Sequence, residues 1–186
     1  MPGADDHVLV ARASEGDVEA FAEIVRRYEA RVRVVLLRLL DDERDVEEAT
    51  QDCFVQAWRN LDRFRGESAV FTWLYRIAVN EALARLRRKR VPTTQIDESR
   101  APLPADARNE PQTAVESEEL EHFLARELRR LEPDYRAPVV LRDVAGLSNE
   151  EVAAVLGLSI AATKSRIHRA RMQLREAYIR WERQTS

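Results

Sequence analysis

Between Lys164 and Arg175 the chain reads "KSRIHRARMQLR", with six Lys, Arg or His side chains and no acid. With Ile167 turned inward on a helix, Ala161, Ala162, Ser165, His168 and Arg169 project outward, and Lys164, Arg166 and Arg171 flank them. The chemistry open to such a face is recognition. Small outward residues let a helix enter a major groove, Ser and Arg can read base edges, and flanking cations can hold phosphates. The plainer alternative is a helical hairpin with a solvated basic face.

A second stretch, "LDRFRGESAVFTWLYRIAVNEALARLRRKR" from Leu61 to Arg90, sets Phe64, Phe71, Trp73 and Tyr75 among Arg63, Arg65, Arg76 and Asn80. Aromatic rings beside arginines can stack unpaired bases, at about 1–3 kcal/mol per base. On composition alone, Phe71, Trp73 and Tyr75 read more readily as core residues at the start of a helix. Bond-making chemistry finds little support. There is no Gly-rich phosphate loop and no nucleophile beside a base. His7, His122 and His168 lack metal-ligand spacing. We expect no enzyme, no catalytic residue, no metal and no cofactor.

Charge is segregated along a chain whose net charge is only −3. Asp41–Asp52 holds seven acids and one base, and Arg85–Arg90 holds five bases and no acid. Such segregation suggests separate surfaces for separate partners. Cys53 is the sole cysteine, so no internal disulfide can form and a cytosolic setting is expected. The apolar run Val32–Leu40 is interrupted by Arg33 and Arg38, and the N-terminus lacks the pattern of a secretory signal. No membrane insertion is expected.

Elements that could position these residues follow from periodicity. Apolar side chains recur at helical spacing over 18–40, 44–60 and 68–89, after a first helix over 5–14. Helices are also expected over 116–131 and 134–144. Ser148 followed by Glu151 is a capping-box pattern, Gly157 can end that helix, and Ser159 can cap the next. The buried stripe of the last helix is expected at Ile160, Thr163, Ile167, Ala170 and Leu174. Residues 92–115 hold four of the seven prolines and few large apolar groups, so they read as a flexible linker. The expectation is an all-α protein of two small helical domains, 1–91 and 116–186, the second containing a helix-turn-helix.

The segments "FRGESAVFTWLYRIAVNEALARLRRKR" and "YRAPVVLRDVAGLSNEEVAAVLGLSIAATKSRIHRARMQLREA" resemble the two diagnostic blocks of bacterial sigma factors, in the extracytoplasmic-function (ECF) class of the sigma-70 family. "DVEEATQDCFVQAWRNLDRF" resembles the segment by which that family grips RNA polymerase. The resemblance implies a factor that binds core RNA polymerase, through the β′ clamp helices and the β flap, and directs initiation at promoter DNA. It places Asp45, Glu48, Gln51, Asp52, Phe54 and Trp58 at the polymerase. It places Arg63, Phe64, Arg65, Gly66, Glu67, Ser68, Phe71, Trp73, Arg76 and Asn80 at the −10 element, where a flipped non-template base is captured. Arg142, Lys164, Ser165, Arg166, His168, Arg169 and Arg171 fall at the −35 element. An anti-sigma factor is a further implied partner. "SIAATKS" departs from the family's usual Gly-Thr-Val run, and Thr163 puts a hydroxyl on the buried stripe that can bond back one turn. A dimeric helix-turn-helix repressor is the rival, but no dimer seam is evident and the aromatic block would be idle in it.

Overall fold

The computed structural model describes residues 4–66, 68–90 and 113–185, and every regular element among them is helical. The order is α1 (Ala4–Ser14), α2 (Val18–Leu39), α3 (Glu43–Arg59), a 3-10 turn (Leu61–Arg63), α4 (Val70–Arg90), α5 (Thr113–Arg130), α6 (Pro133–Val139), a π turn (Val140–Val144), α7 (Asn149–Leu156) and α8 (Ile160–Thr185). Most of the expected linker lies outside the described residues. Its last three positions, however, belong to α5, which starts at Thr113.

Side-chain caps set the entries. The Asp17 carboxylate accepts from the Ala20 amide at 3.1 Å, and Asp42 accepts from the Arg44 amide at 2.8 Å. The Ala20 amide and then the Arg12 guanidinium hold the Asp17 carboxyl below its ordinary range. From these starts α2 buries Ile24, Tyr28, Val32, Val35, Leu36 and Leu39 along one stripe, and α3 packs Val46, Ala49, Cys53 and Ala57 against it. On the outer side of α3, Val55 and Trp58 are 46% and 38% exposed, whereas Phe54 is buried beside Cys53 and Ala57.

Pro138 lies inside α6 and has no amide hydrogen to continue the ladder. The expected single helix over 134–144 is therefore interrupted. Its second half widens into a π turn, in which the Ala145 amide reaches the Val140 carbonyl at 3.0 Å.

The two halves of the chain share one core. Leu36, Leu39 and Leu74 belong to the same buried cluster as Leu141, Leu147 and Val152. Helix α4 packs on α7, and α2 on the π turn. Each such buried aliphatic side chain contributes about 1.5–3 kcal/mol relative to exposure. Arg136, 4% exposed, runs through this seam. It donates to the Leu39 carbonyl at 2.8 Å, to the carbonyls of Arg129 and Leu131, and toward the Asp41 carboxylate at 3.4 Å. Among the described residues no helix is long and apolar enough to cross a membrane.

Candidate nucleic-acid interface

The helix-turn-helix forms as its residues dictate. Ser148 accepts from the Glu151 amide at 3.1 Å while the Glu151 carboxylate accepts from the Ser148 amide at 2.7 Å, closing the capping box. Gly157 takes φ +65°, the left-handed turn that an L side chain would strain. Ser159 then caps α8 by accepting from Ala162 at 3.1 Å. Ala153 is buried at the junction and Ala154 is exposed. On α8, Thr163, Ile167 and Ala170 are buried, but Ile160 is 42% exposed and lies off the stripe. The Thr163 hydroxyl is fully buried and finds no hydrogen-bond partner among the described residues, so the expected bond back along the helix is not made.

The outward face carries Ala161, Lys164, Ser165, His168 and Arg169, all exposed, with Ala162 and Arg166 half-buried. The cations divide into two groups. Arg171 makes a two-pronged pair with Asp143, at 3.0 Å through Nε, and the hydrogen bond to that carboxylate holds the guanidinium above its ordinary range. Arg166 approaches Asp134 at 3.7 Å, and Arg142 donates to the Leu147 carbonyl at 2.6 Å. Arg142 thus braces the turn leading into α7. Among the described residues Arg169 has one long contact, 3.4 Å, with the Tyr135 hydroxyl. It stands ready for another acceptor.

This face borders the first half of the chain. Ala162, Ser165, Arg166 and Arg169 form one wall of a cleft of about 620 Å³, with Leu83, Leu86 and Arg87 of α4 on the other. Sequence reasoning missed this wall of α4, because no local pattern marks which distant helix will lie opposite.

In the aromatic segment the structure assembles a run of rings. Phe64 lies 5.2 Å from Trp73 and 5.6 Å from His7 of α1, centroid to centroid. Phe71 and Tyr75 meet edge to face at 6.3 Å, and the Arg31 guanidinium sits 5.6 Å over the Phe71 ring. Tyr75 is buried, and burial pushes its hydroxyl pKa up. Phe64, Ser68, Phe71 and Trp73 are half-buried, while Arg63, Arg65, Gly66, Arg76 and Asn80 are exposed around them. Glu67 lies outside the described residues. His7 joins this group from α1, and no local pattern marks it for that place.

Of the residues expected at a protein partner, Glu48, Gln51, Asp52 and Trp58 are exposed on α3, Asp45 is half-buried and Phe54 is buried. Phe21 supports Trp58 at 5.0 Å. The acids also have internal partners. Arg85 reaches Glu48 at 3.1 Å, Glu81 at 3.1 Å and Asp52, and Lys89 meets Asp45 at 2.5 Å. The Asp45 hydrogen bond holds Lys89 above the ordinary lysine range, against the opposing effect of burial. The acidic and basic runs are thus partly one another's counter-charges. Glu48 and Asp52 nevertheless remain 56% and 51% exposed and keep a face toward solvent.

Comparison with known proteins follows the same division of the chain. The Sigma-70 region 2 family model matches residues 24–91, and the Sigma-70, region 4 model matches residues 124–174. The ECF RNA polymerase sigma-E factor of Escherichia coli (strain K12) is 39% identical over 175 residues, covering 89% of this chain and 90% of that protein. The corresponding factor of Haemophilus influenzae is 35% identical over 179 residues, covering 89% and 91%. Among solved structures, CnrH in complex with the cytosolic domain of CnrY superposes with a TM-score of 0.69 at 31% identity, over 92% of this chain and 96% of that one. The sigma factor RpoE in complex with the anti-sigma factor NepR from Bartonella quintana gives 0.71 at 26% identity, over 87% and 98%.

Proposed function

Because the chain belongs to the ECF class of the sigma-70 family, a class of initiation factors for promoter-specific transcription, we propose a specific division of labour among its surfaces. The exposed strip of α3, Glu48, Gln51, Asp52 and Trp58, docks on core RNA polymerase at the clamp helices of β′. The loop from Phe64 to Ser68 and the first turns of α4 hold the melted −10 element, with one non-template base taken onto the ring of Phe64. The free edge of α8, Lys164, Ser165, His168 and Arg169, reads the −35 element. Domain limits of 1–91 and 116–186 and action in the cytoplasm go with this reading.

One observation carries it. α8 presents Lys164, Ser165, His168 and Arg169 on a face lined with alanines, behind a capped helix and a left-handed glycine turn. That arrangement fits a helix entering a major groove about 12 Å wide. A solvated basic face needs neither the small residues nor the tight turn. The groove can straddle α8 only when α4 is not opposite, so the reading includes separation of the two halves on the polymerase. A partner that braces the closed cleft would keep the factor idle, and this is the role we assign to an anti-sigma protein.

The test is retention of the full chain by core polymerase, followed by run-off transcription on promoter templates. Stable capture with new promoter-dependent transcripts is the expected result. Failure to bind core, combined with tight binding of closed duplex by the chain alone, would favour a repressor and overturn the proposal.

A further inference from the structure

We propose that His7 of α1 is a recognition residue of the base-capture site, supplying the hydrogen-bonding wall that selects which unpaired base rests on Phe64. This rests on the reading of the Phe64 loop given above and goes beyond it by adding a side chain from a distant element.

The argument starts at the neighbouring residue. Asp6 is 2% exposed, and a carboxylate so deeply placed is tolerated only when paired. Its two oxygens accept from the Tyr28 hydroxyl and from Arg27 Nη1 at 3.0 Å, both on α2. The first turn of α1 is therefore pinned, and the direction of the next side chain with it. His7 itself is exposed. Its ring lies 5.6 Å from Phe64 at an interplanar angle of 30°, and Phe64 continues to Trp73 at 5.2 Å.

The backbone of the loop faces the same imidazole. Gly66 has φ +72°, and a Cβ added there would stand 3.5 Å from His7 Nδ1. The ring thus borders both the aromatic platform and the loop main chain. Phe64 and Trp73 offer apolar faces, on which any base can stack with only modest preference. Discrimination needs a donor or acceptor aimed at a base edge, and a neutral imidazole offers one of each. Exposed His7 has both capabilities, as exposed Asn80 does, and the His7 ring lies beside both Phe64 and the Gly66 main chain. The ligand class is an unpaired nucleobase of single-stranded DNA.

The experiment uses holoenzyme assembled from core polymerase and the full chain, with fork-junction DNAs carrying each of the four bases at the captured position. Affinity is read by competition, and extrusion by 2-aminopurine fluorescence next to that position. His7→Phe keeps a ring and removes both nitrogens. It should retain overall affinity within about twofold while flattening the preference among bases by about five- to tenfold, the worth of one polar contact. His7→Ala should flatten the preference and weaken extrusion as well. Wild-type preference in both variants, alongside a defective Phe64→Ala control, overturns the role of His7 alone. Indifference of Phe64→Ala overturns the capture reading and this inference with it.

Discussion

Arg136 donates a hydrogen bond to the main-chain carbonyl of Leu39, 2.8 Å away and 97 positions earlier in the chain. The contact joins the start of α6 to the C-terminal end of α2, where carbonyls lack helical partners and the helix dipole favours a cation. Arg136→Ala leaves the carbonyls of Leu39, Arg129 and Leu131 without this donor. We expect a loss of about 2–4 kcal/mol in urea unfolding, with partial retention in Arg136→Lys. An unchanged midpoint would show that the seam holds without it.

Asp52 and Glu48 share Arg85, so a charge reversal at either would set cation against cation inside the fold. Neutral variants are the cleaner probe. Asp52→Asn and Glu48→Gln should each change stability by less than about 1 kcal/mol. Both should slow association with core polymerase and flatten its dependence on salt. Association rates equal to wild type at low salt would return these acids to a purely internal role.

Arg169, whose one contact among the described residues is the long one to Tyr135, is the best-placed arginine of α8 for a base edge. Arg169→Ala should lose about 1–3 kcal/mol at the upstream element and relax preference at one position. Equal loss on every sequence would mean that it holds phosphate. Lys164→Ala should instead weaken all sequences alike and reduce the salt slope by about one.

Thr163 buries a hydroxyl without a partner. Valine has nearly the same shape and nothing to satisfy, so Thr163→Val should raise stability by about 1 kcal/mol. Thermal unfolding measures this, and a lowered melting temperature refutes it.

Cys53 is fully buried, and burial pushes its thiol up to about 12. At pH 8 the thiolate is then on the order of one in ten thousand of the thiols, a fraction that rises tenfold per pH unit. Native protein should resist a thiol reagent at pH 8, and one equivalent should react after denaturation. Rapid labelling of the native chain would refute this burial of the thiol.

Much of this architecture was legible in the residues. The stripe Ile24–Tyr28–Val32–Leu36–Leu39 and the Ser148–Glu151 box are local patterns whose physics acts within a few turns, and the helices appear where those patterns lie. Pro138 announced a break that the periodicity of 134–144 masked, because apolar spacing reports burial and says nothing of missing amides. The charge runs at 41–52 and 85–90 were visible, but their mutual pairing depends on α3 and α4 lying side by side. His7 and Phe64 lie far apart in sequence, and nothing in either neighbourhood joins them. The same applies to the seam between halves, since no periodicity crosses residues 92–112.

That seam has a thermodynamic corollary. A polymerase that docks only the parted form draws on whatever fraction of molecules is parted, and its measured dissociation constant is the intrinsic one divided by that fraction. A seam worth about 3 kcal/mol would leave on the order of one molecule in a hundred available. Loosening Arg136 should therefore yield a protein that melts earlier yet competes better for polymerase, with no alteration to the surface the enzyme touches.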